Sequence, residues 1–210
     1  MRTVQKLQSD LLPTGSCTET TATEQMSLLL RHKSSVRNFF QLSSSFSNTA
    51  VKSMSSVVED KIKAMGLALP GAPLAPKGNY MSYNITGKYV YLAGHLPQPA
   101  EGELMKGRLG ENMTVEEGAH AARLCGLQMV ASMKAACNGD LSKVKKIVKV
   151  VGFVASANDF TAQPSVLNGC SDFLGEAFGV EIGRHARSAL GVNVLPLGVP
   201  VEIEAIIELH

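Results

Sequence analysis

The stretch "TVEEGAHAARLCGLQMVASMKAAC" (114–137) returns apolar residues every third or fourth position, with Ala122, Cys125, Met129, Met133 and Ala136 on one face. That period predicts a long amphipathic helix. Thr114 and Glu117 stand at the spacing of a capping box, and Asn138-Gly139 suits the left-handed stop after a helix. A second helix is predicted over "PSVLNGCSDFLGEAFG" (164–179), with Pro164 in its first turn and Gly179 at its end. In "VVEDKIKAMGLAL", Val58, Ile62, Met65 and Leu67 recur at near-helical spacing and predict a shorter helix. The prolines of "PGAPLAPKG" (70–78) end it in a loop.

Elsewhere the runs are short, β-branched or alternating. Tyr80–Ile85 and Lys88–Ala93 read as a hairpin turning at Thr86-Gly87, and "GELMKGRLGENM" reads as a third short strand. "VKKIVKVVGFVAS" (144–156) is a β-branched strand with its lysines toward solvent. The end of the chain, "RSALGVNVLPLGVPVEIEAIIE", supplies two more strands, which as a hairpin would turn about Leu197-Gly198. The order β-β-β-α-β-α-β-β predicts an α/β (α+β) fold: a mixed six-stranded sheet with two long helices on one face. The other face would be apolar and uncovered, a surface that oligomerisation usually closes.

Composition changes near Ser56 and divides the chain into an extension (1–56) and a folded domain (57–210). Residues 26–56 contain no acidic side chain; Arg31, Lys33, Arg37 and Lys52 lie among serines, and Leu29, Leu30, Phe39 and Phe40 can share a helical face. Such Arg- and Ser-rich, acid-poor, amphipathic segments are organellar import peptides, so a mitochondrial location is expected ahead of a plastid or cytoplasmic one. Asp10, Glu19 and Glu24 suit a presequence poorly, which makes Met26 an alternative start; a disordered tail with no address is the other reading. The charged fraction of 18% is low and favours self-association. A net charge of +2 and the absence of Trp argue against a dedicated nucleic-acid binder. No run approaches the ~20 apolar residues that cross a bilayer, so a soluble protein is expected. Cys17, Cys125, Cys137 and Cys170 form no C-x-x-C pair and read as small apolar residues in a reducing compartment.

Phosphate-loop, dinucleotide-binding, zincin and nucleophile-elbow signatures are all missing, and His120 has no partner ligands near it in sequence. No metal role is expected for His120. The charges that call for explanation lie in the hydrophobic C-terminal segment. Arg187, at the mouth of an apolar strand, could cap a helix end or pair with a surface carboxylate. It could instead hold a substrate carboxylate through two parallel hydrogen bonds. Glu202, Glu204 and Glu208 alternate with Ile203, Ala205 and Ile207, so the glutamates share one strand face, and plain solvent exposure would account for them.

"HARSALGVNVLPLGVPVEIEAI" resembles the C-terminal signature of the Rid family (YjgF-like reactive intermediate deaminases, also called endoribonuclease L-PSP proteins): Arg-Ser opening a strand, Leu-Pro at the turn, then Val-Glu-Ile-Glu. "PKGNYMSYNITGKYVYLAGHLP" is similar to the family's N-terminal hairpin, and "VLNGCSDFLGEAFG" to its second helix, so the likeness spans roughly 76–209. The resemblance implies a chorismate-mutase-like fold and a homotrimer with clefts between subunits. It also implies hydrolysis of enamines and imines of the 2-iminopropanoate and 2-iminobutanoate type, released by pyridoxal-phosphate enzymes, with no metal or cofactor. On that basis Arg187 would hold the substrate carboxylate and Glu202 would place or activate the attacking water. Tyr80, Gly94 and Asn168 would line the pocket, with Ser188 beginning the strand that aims the arginine.

This chain departs from the family pattern at His185, where proline is common two residues before the arginine, at His95 after the turn glycine, and in a longer "ASANDFTAQPSVLN" connection. Two further readings stand beside the deaminase: a trimeric ligand-binding or assembly module of an organellar complex, and a ribonuclease or translation inhibitor. In a direct hairpin Arg187 would lie opposite Glu208, leaving Glu202 roughly 20 Å along the strand. The two could then meet only across a subunit boundary, or if the strands are not neighbours.

Overall fold

The structure, a computed structural model, describes residues 55–99 and 101–210, all within the compact unit Asn48–His210. The segment read as an import peptide, together with Cys17 and Met26, lies outside the described residues apart from its last two positions. Residues 55–64 are helical (α1), and Val58 and Ile62 bury themselves as their spacing predicts. The Ser55 hydroxyl donates to Gly139 O (3.4 Å) and accepts from Leu141 N–H (3.2 Å), which ties this helix to the loop that follows the first long one.

The strands are β1 (Tyr83–Thr86), β2 (Tyr89–His95), β3 (Val144–Ala155), β4 (Ala186–Val192) and β5 (Val201–Leu209). The long helices are α2 (Val115–Ala136) and α3 (Gln163–Phe178), and a single turn, α4 (Val180–Gly183), follows. The capping box of Thr114 and Glu117 is formed, and α3 carries proline in its first turn and ends on Gly179 at φ 83°. Ala122, Cys125, Met129, Met133 and Ala136 are all buried, as the helical period requires. The hairpin turn lies one residue later than read from sequence, at Gly87-Lys88, with Gly87 at φ 58°.

The sheet has five strands, not six, in the order β1-β2-β5-β3-β4. "GELMKGRLGENM" contributes only isolated bridges from Leu109 to Met113 and to Ser156. Gly102, Gly107 and Gly110 all take positive φ, which interrupts any extended run, and Leu109 alone is fully buried. The last two strands are not a hairpin. β4 is delivered parallel to β3 by the α3 crossover, while β5 runs antiparallel on the other side of β3 and also pairs with β2. Between them the chain crosses the end of β3 through a short turn, Pro196–Gly198, pinned by buried Leu195 and Val199.

Alternation along β3 and β5 separates two faces. Val150, Gly152 and Val154 with Val201, Ile203, Ala205 and Ile207 pack under the helices and form the core with Phe173, Leu167 and Met129. The opposite face presents Tyr91, Phe153, Leu190 and Ile206 interspersed with Lys149, Glu202 and Glu204. It is therefore mixed in character where sequence predicted an apolar surface, because the glutamates of β5 occupy its centre.

Candidate active site

Arg187 stands opposite Val150 in the β3–β4 ladder, so it shares the helix-covered face and reaches under α3. Its Nη1 donates to Asn168 Oδ1 (2.9 Å) and Ser171 Oγ (3.0 Å), and its Nη2 donates to the Pro164 carbonyl (3.2 Å). Positions 164, 168 and 171 fall on one side of a helix by the i, i+4, i+7 rule, so a single helix face supplies all three acceptors. Three of the five guanidinium N–H groups are thus used within the chain. Nε–H and one Nη2–H have no partner among the described residues, and two N–H groups suffice to hold one carboxylate. The arginine opens on a cleft of about 580 Å³ between α3, α4 and β4, whose walls include Arg184, His185, Asp172 and Glu176.

A second cluster forms where β2 meets the start of β5. Between Leu92 and His95 the β2–β5 register slips, and the bulge puts Gly94 against Glu202. A methyl group at Gly94 would overlap the Glu202 carboxylate. Glu202 accepts no hydrogen bond from the described residues; burial, with a smaller contribution from Glu204, raises its pKa above the ordinary carboxylate value. Tyr80 and Gly94 line one crevice together with Lys77, Ser82 and His95. His95 is buried: Nδ1 donates to Ala93 O (2.6 Å), so Nε2 accepts from the Ser132 hydroxyl (2.7 Å). Burial depresses its pKa to about 4, leaving the ring neutral.

The two clusters do not meet within one chain. Arg187 and Ala205 both face Val150, and Glu202 faces Phe153 on the opposite side of the sheet. That is about 10 Å along the strand and about 10 Å across it, with the sheet itself between. Asn168 joins Arg187; Tyr80, Gly94 and Glu202 gather separately. Ser188 pairs with Val151 and therefore points to the uncovered face, away from the guanidinium. Glu208 keeps the surface role expected of it, paired with Lys88 (2.7 Å) and Lys145 (3.0 Å), and Glu204 is exposed.

Sequence reasoning missed Ser171 and the Pro164 carbonyl as partners of the arginine. Their helical spacing to Asn168 was the available signal, unusable until the helix was placed beside β4. Cys125, Cys137 and Cys170 are buried free thiols, the role read for them, with burial pushing Cys170 up to about 12. Among the described residues no group of three or more His, Cys, Asp or Glu side chains gathers as a metal-ligand set, and no helix is long and apolar enough to cross a membrane.

Residues 59–209 match the YjgF/chorismate mutase-like endoribonuclease family. Protein TCP17 of Trypanosoma cruzi is 46% identical over 153 residues, 73% of this chain and 94% of that protein. A 2-iminobutanoate/2-iminopropanoate deaminase of Dermatophagoides farinae is 32% identical over 137 residues, covering 64% of this chain and 91% of the deaminase. The crystal structure of Atu1372 from Agrobacterium tumefaciens superposes with a TM-score of 0.71 at 38% identity, over 78% of this chain and 98% of that one. With the mixed sheet, the crossover helix and the Arg-Ser to Val-Glu-Ile-Glu segment all in place, this chain belongs to the YjgF/chorismate mutase-like family.

Proposed function

We propose that the protein is a hydrolytic deaminase of small 2-imino acids, working as a homotrimer. Its site would join Arg187 and Asn168 of one subunit to Tyr80, Gly94 and Glu202 of the next. The observation that carries this reading is the guanidinium held by three hydrogen bonds to one face of α3, with two N–H groups left for a carboxylate. A 2-imino acid is planar at its reacting carbon, so fixing its carboxylate fixes the face open to water. Glu202, half-buried and with its pKa raised, is a stronger base than an exposed carboxylate.

The reaction balances without a cofactor. Glu202 takes a proton from water as the oxygen bonds to C2 of R–C(=NH)–COO⁻ and passes that proton to the imine nitrogen, giving the carbinolamine R–C(OH)(NH2)–COO⁻. The glutamate then carries the hydroxyl proton to the amino nitrogen as the C–N bond breaks, releasing NH3 and R–C(=O)–COO⁻ and leaving Glu202 ionised as it began. Support for the substrate class comes from the Dermatophagoides relative together with a site suited to one carboxylate and one water. A near-neutral chain gives the ribonuclease reading no electrostatic footing. We further propose that residues 26–56 address the protein to mitochondria; a reporter carrying them that stays in the cytosol would overturn this.

The deciding assay adds the full chain to threonine dehydratase and threonine and follows the loss of the transient imine. The wild type is expected to accelerate hydrolysis over the spontaneous rate, and Arg187→Ala to lose at least about a hundredfold, since a charge-assisted bidentate pair disappears. A wild-type chain that leaves the spontaneous rate unchanged would refute the deaminase reading.

A further inference from the structure

The arginine cradle does not end at Ser171. His185 precedes β4, two residues before Arg187, and its ring bridges its own loop to α3. Nδ1 lies 2.7 Å from the Gly183 carbonyl, and Nε2 lies 3.1 Å from the Ser171 hydroxyl. A carbonyl can only accept, so Nδ1 carries the proton and Nε2 of the neutral ring offers its lone pair. Ser171 must then donate its single proton to His185. Its oxygen lone pairs are left to receive Nη1 of Arg187 at 3.0 Å.

We propose that His185 is a positioning residue for the substrate-anchoring arginine, acting through Ser171, and this rests on the assignment of Arg187 as the carboxylate anchor. The relay runs Gly183 O, His185, Ser171, Arg187, and each link fixes the direction of the next proton. A serine with no acceptor for its own proton could rotate to compete for Asn168 or solvent. Held by His185, it presents an acceptor to the guanidinium at all times, which keeps Nε and the remaining Nη2–H turned toward the cleft.

The same wiring makes the anchor sensitive to acid. Protonation turns Nε2 into a donor, removes the partner of the Ser171 proton and places a second cation one hydroxyl away from the guanidinium. Burial holds the His185 pKa below the ordinary value; Arg187 and Lys146 push it further down, and the bond to Gly183 O opposes them. Arg184, Asp172 and Glu176 are the other charged groups on the walls of the cleft that His185 faces. The histidine is therefore neutral near pH 7, and the relay fails only when the pH falls below about 6.5.

Binding of pyruvate, a stable 2-oxo acid of the product class, tests the relay on the full chain. His185→Phe is expected to weaken pyruvate binding roughly tenfold, the scale of one charge-assisted hydrogen bond. His185→Gln, whose amide oxygen can stand where Nε2 accepts, should stay within about threefold of wild type. Wild-type affinity should fall as the pH drops below about 6.5, and His185→Gln should lack that fall. If His185→Phe does not fold, Ser171→Ala removes the middle link and should give the same loss.

A ligand-free readout accompanies these. Separate, slowly exchanging Nη signals of Arg187 in the NMR spectrum are expected for wild type and averaged ones for Ser171→Ala. Unchanged pyruvate affinity in both relay variants, with Arg187→Ala deficient, would overturn the relay and keep the anchor. Unchanged affinity in Arg187→Ala would overturn the anchor, and the relay's role with it. Identical Nη signals in wild type and Ser171→Ala would overturn the relay whatever pyruvate does.

Discussion

Gly94 and Glu202 show what single atoms decide in this site. The carboxylate rests where a Cβ at position 94 would be, so Gly94→Ala must push Glu202 aside. The side chain is flexible and half-exposed, so the displacement should cost little stability and much activity: an expected loss of about 10²-fold in kcat with the melting temperature held within a few degrees. His95, next along, couples the same segment to pH. Its folded-state pKa of about 4 lies below the ordinary 6.5, so the fold favours the neutral ring. Stability is then complete above about pH 6.5 and is lost as the pH falls toward 4, by roughly 3 kcal/mol over the full interval. Urea unfolding of wild type and His95→Gln across that range should show the steeper acid dependence in wild type. Equal slopes would mean that the buried ring does not titrate against the fold.

Two helices and a crossing turn hold these residues in place. α2 and α3 approach closely at Gly169, where a methyl group would strike the backbone carbonyl of Ala119. Backbone cannot rotate away, so Gly169→Ala should destabilise by about 3 kcal/mol. Gly175 lies in the same helix with open space around its missing Cβ, and Gly175→Ala should stabilise by about 0.5–1 kcal/mol. Chemical denaturation of the pair separates close approach from helix propensity. The helices were legible in sequence because the capping box, Pro164 and Gly179 mark their ends with local chemistry. The order of strands was not. A run such as "HARSALGV" followed by "VPVEIEAI" looks like a hairpin because hydrophobic alternation says which face a residue takes, not which strand lies beside it. That is decided by α3, which makes β4 parallel to β3 and leaves the other edge of β3 for β5.

At the scale of the whole molecule, the proposed site needs adjoining copies, because Arg187 and Glu202 lie on opposite faces of the sheet. Mixing inactive Arg187→Ala and Glu202→Gln chains, unfolding and refolding them together, should restore activity. One intact interface needs the arginine from one variant and the glutamate from the other, so random assembly gives up to about a quarter of wild-type sites. No recovery in a mixed oligomer would refute the shared site. The candidate residues could be found from the Arg-Ser and Val-Glu-Ile-Glu motifs, and that Arg187 and Glu202 stand apart followed from a hairpin reading. The roughly 20 Å along one strand did not hold, because α3 places β4 and β5 on opposite sides of β3 and leaves about 10 Å along and about 10 Å across. The central place of β5 has a consequence for how the chain is made. Without β5, β1-β2 and β3-β4 share no strand and the sheet is two unjoined pairs. β5 follows all four other strands in chain order, so the nascent chain holds both pairs with unpaired edges until β5 has been made. A chain stopped at Pro200 should therefore be insoluble, not a shortened fold.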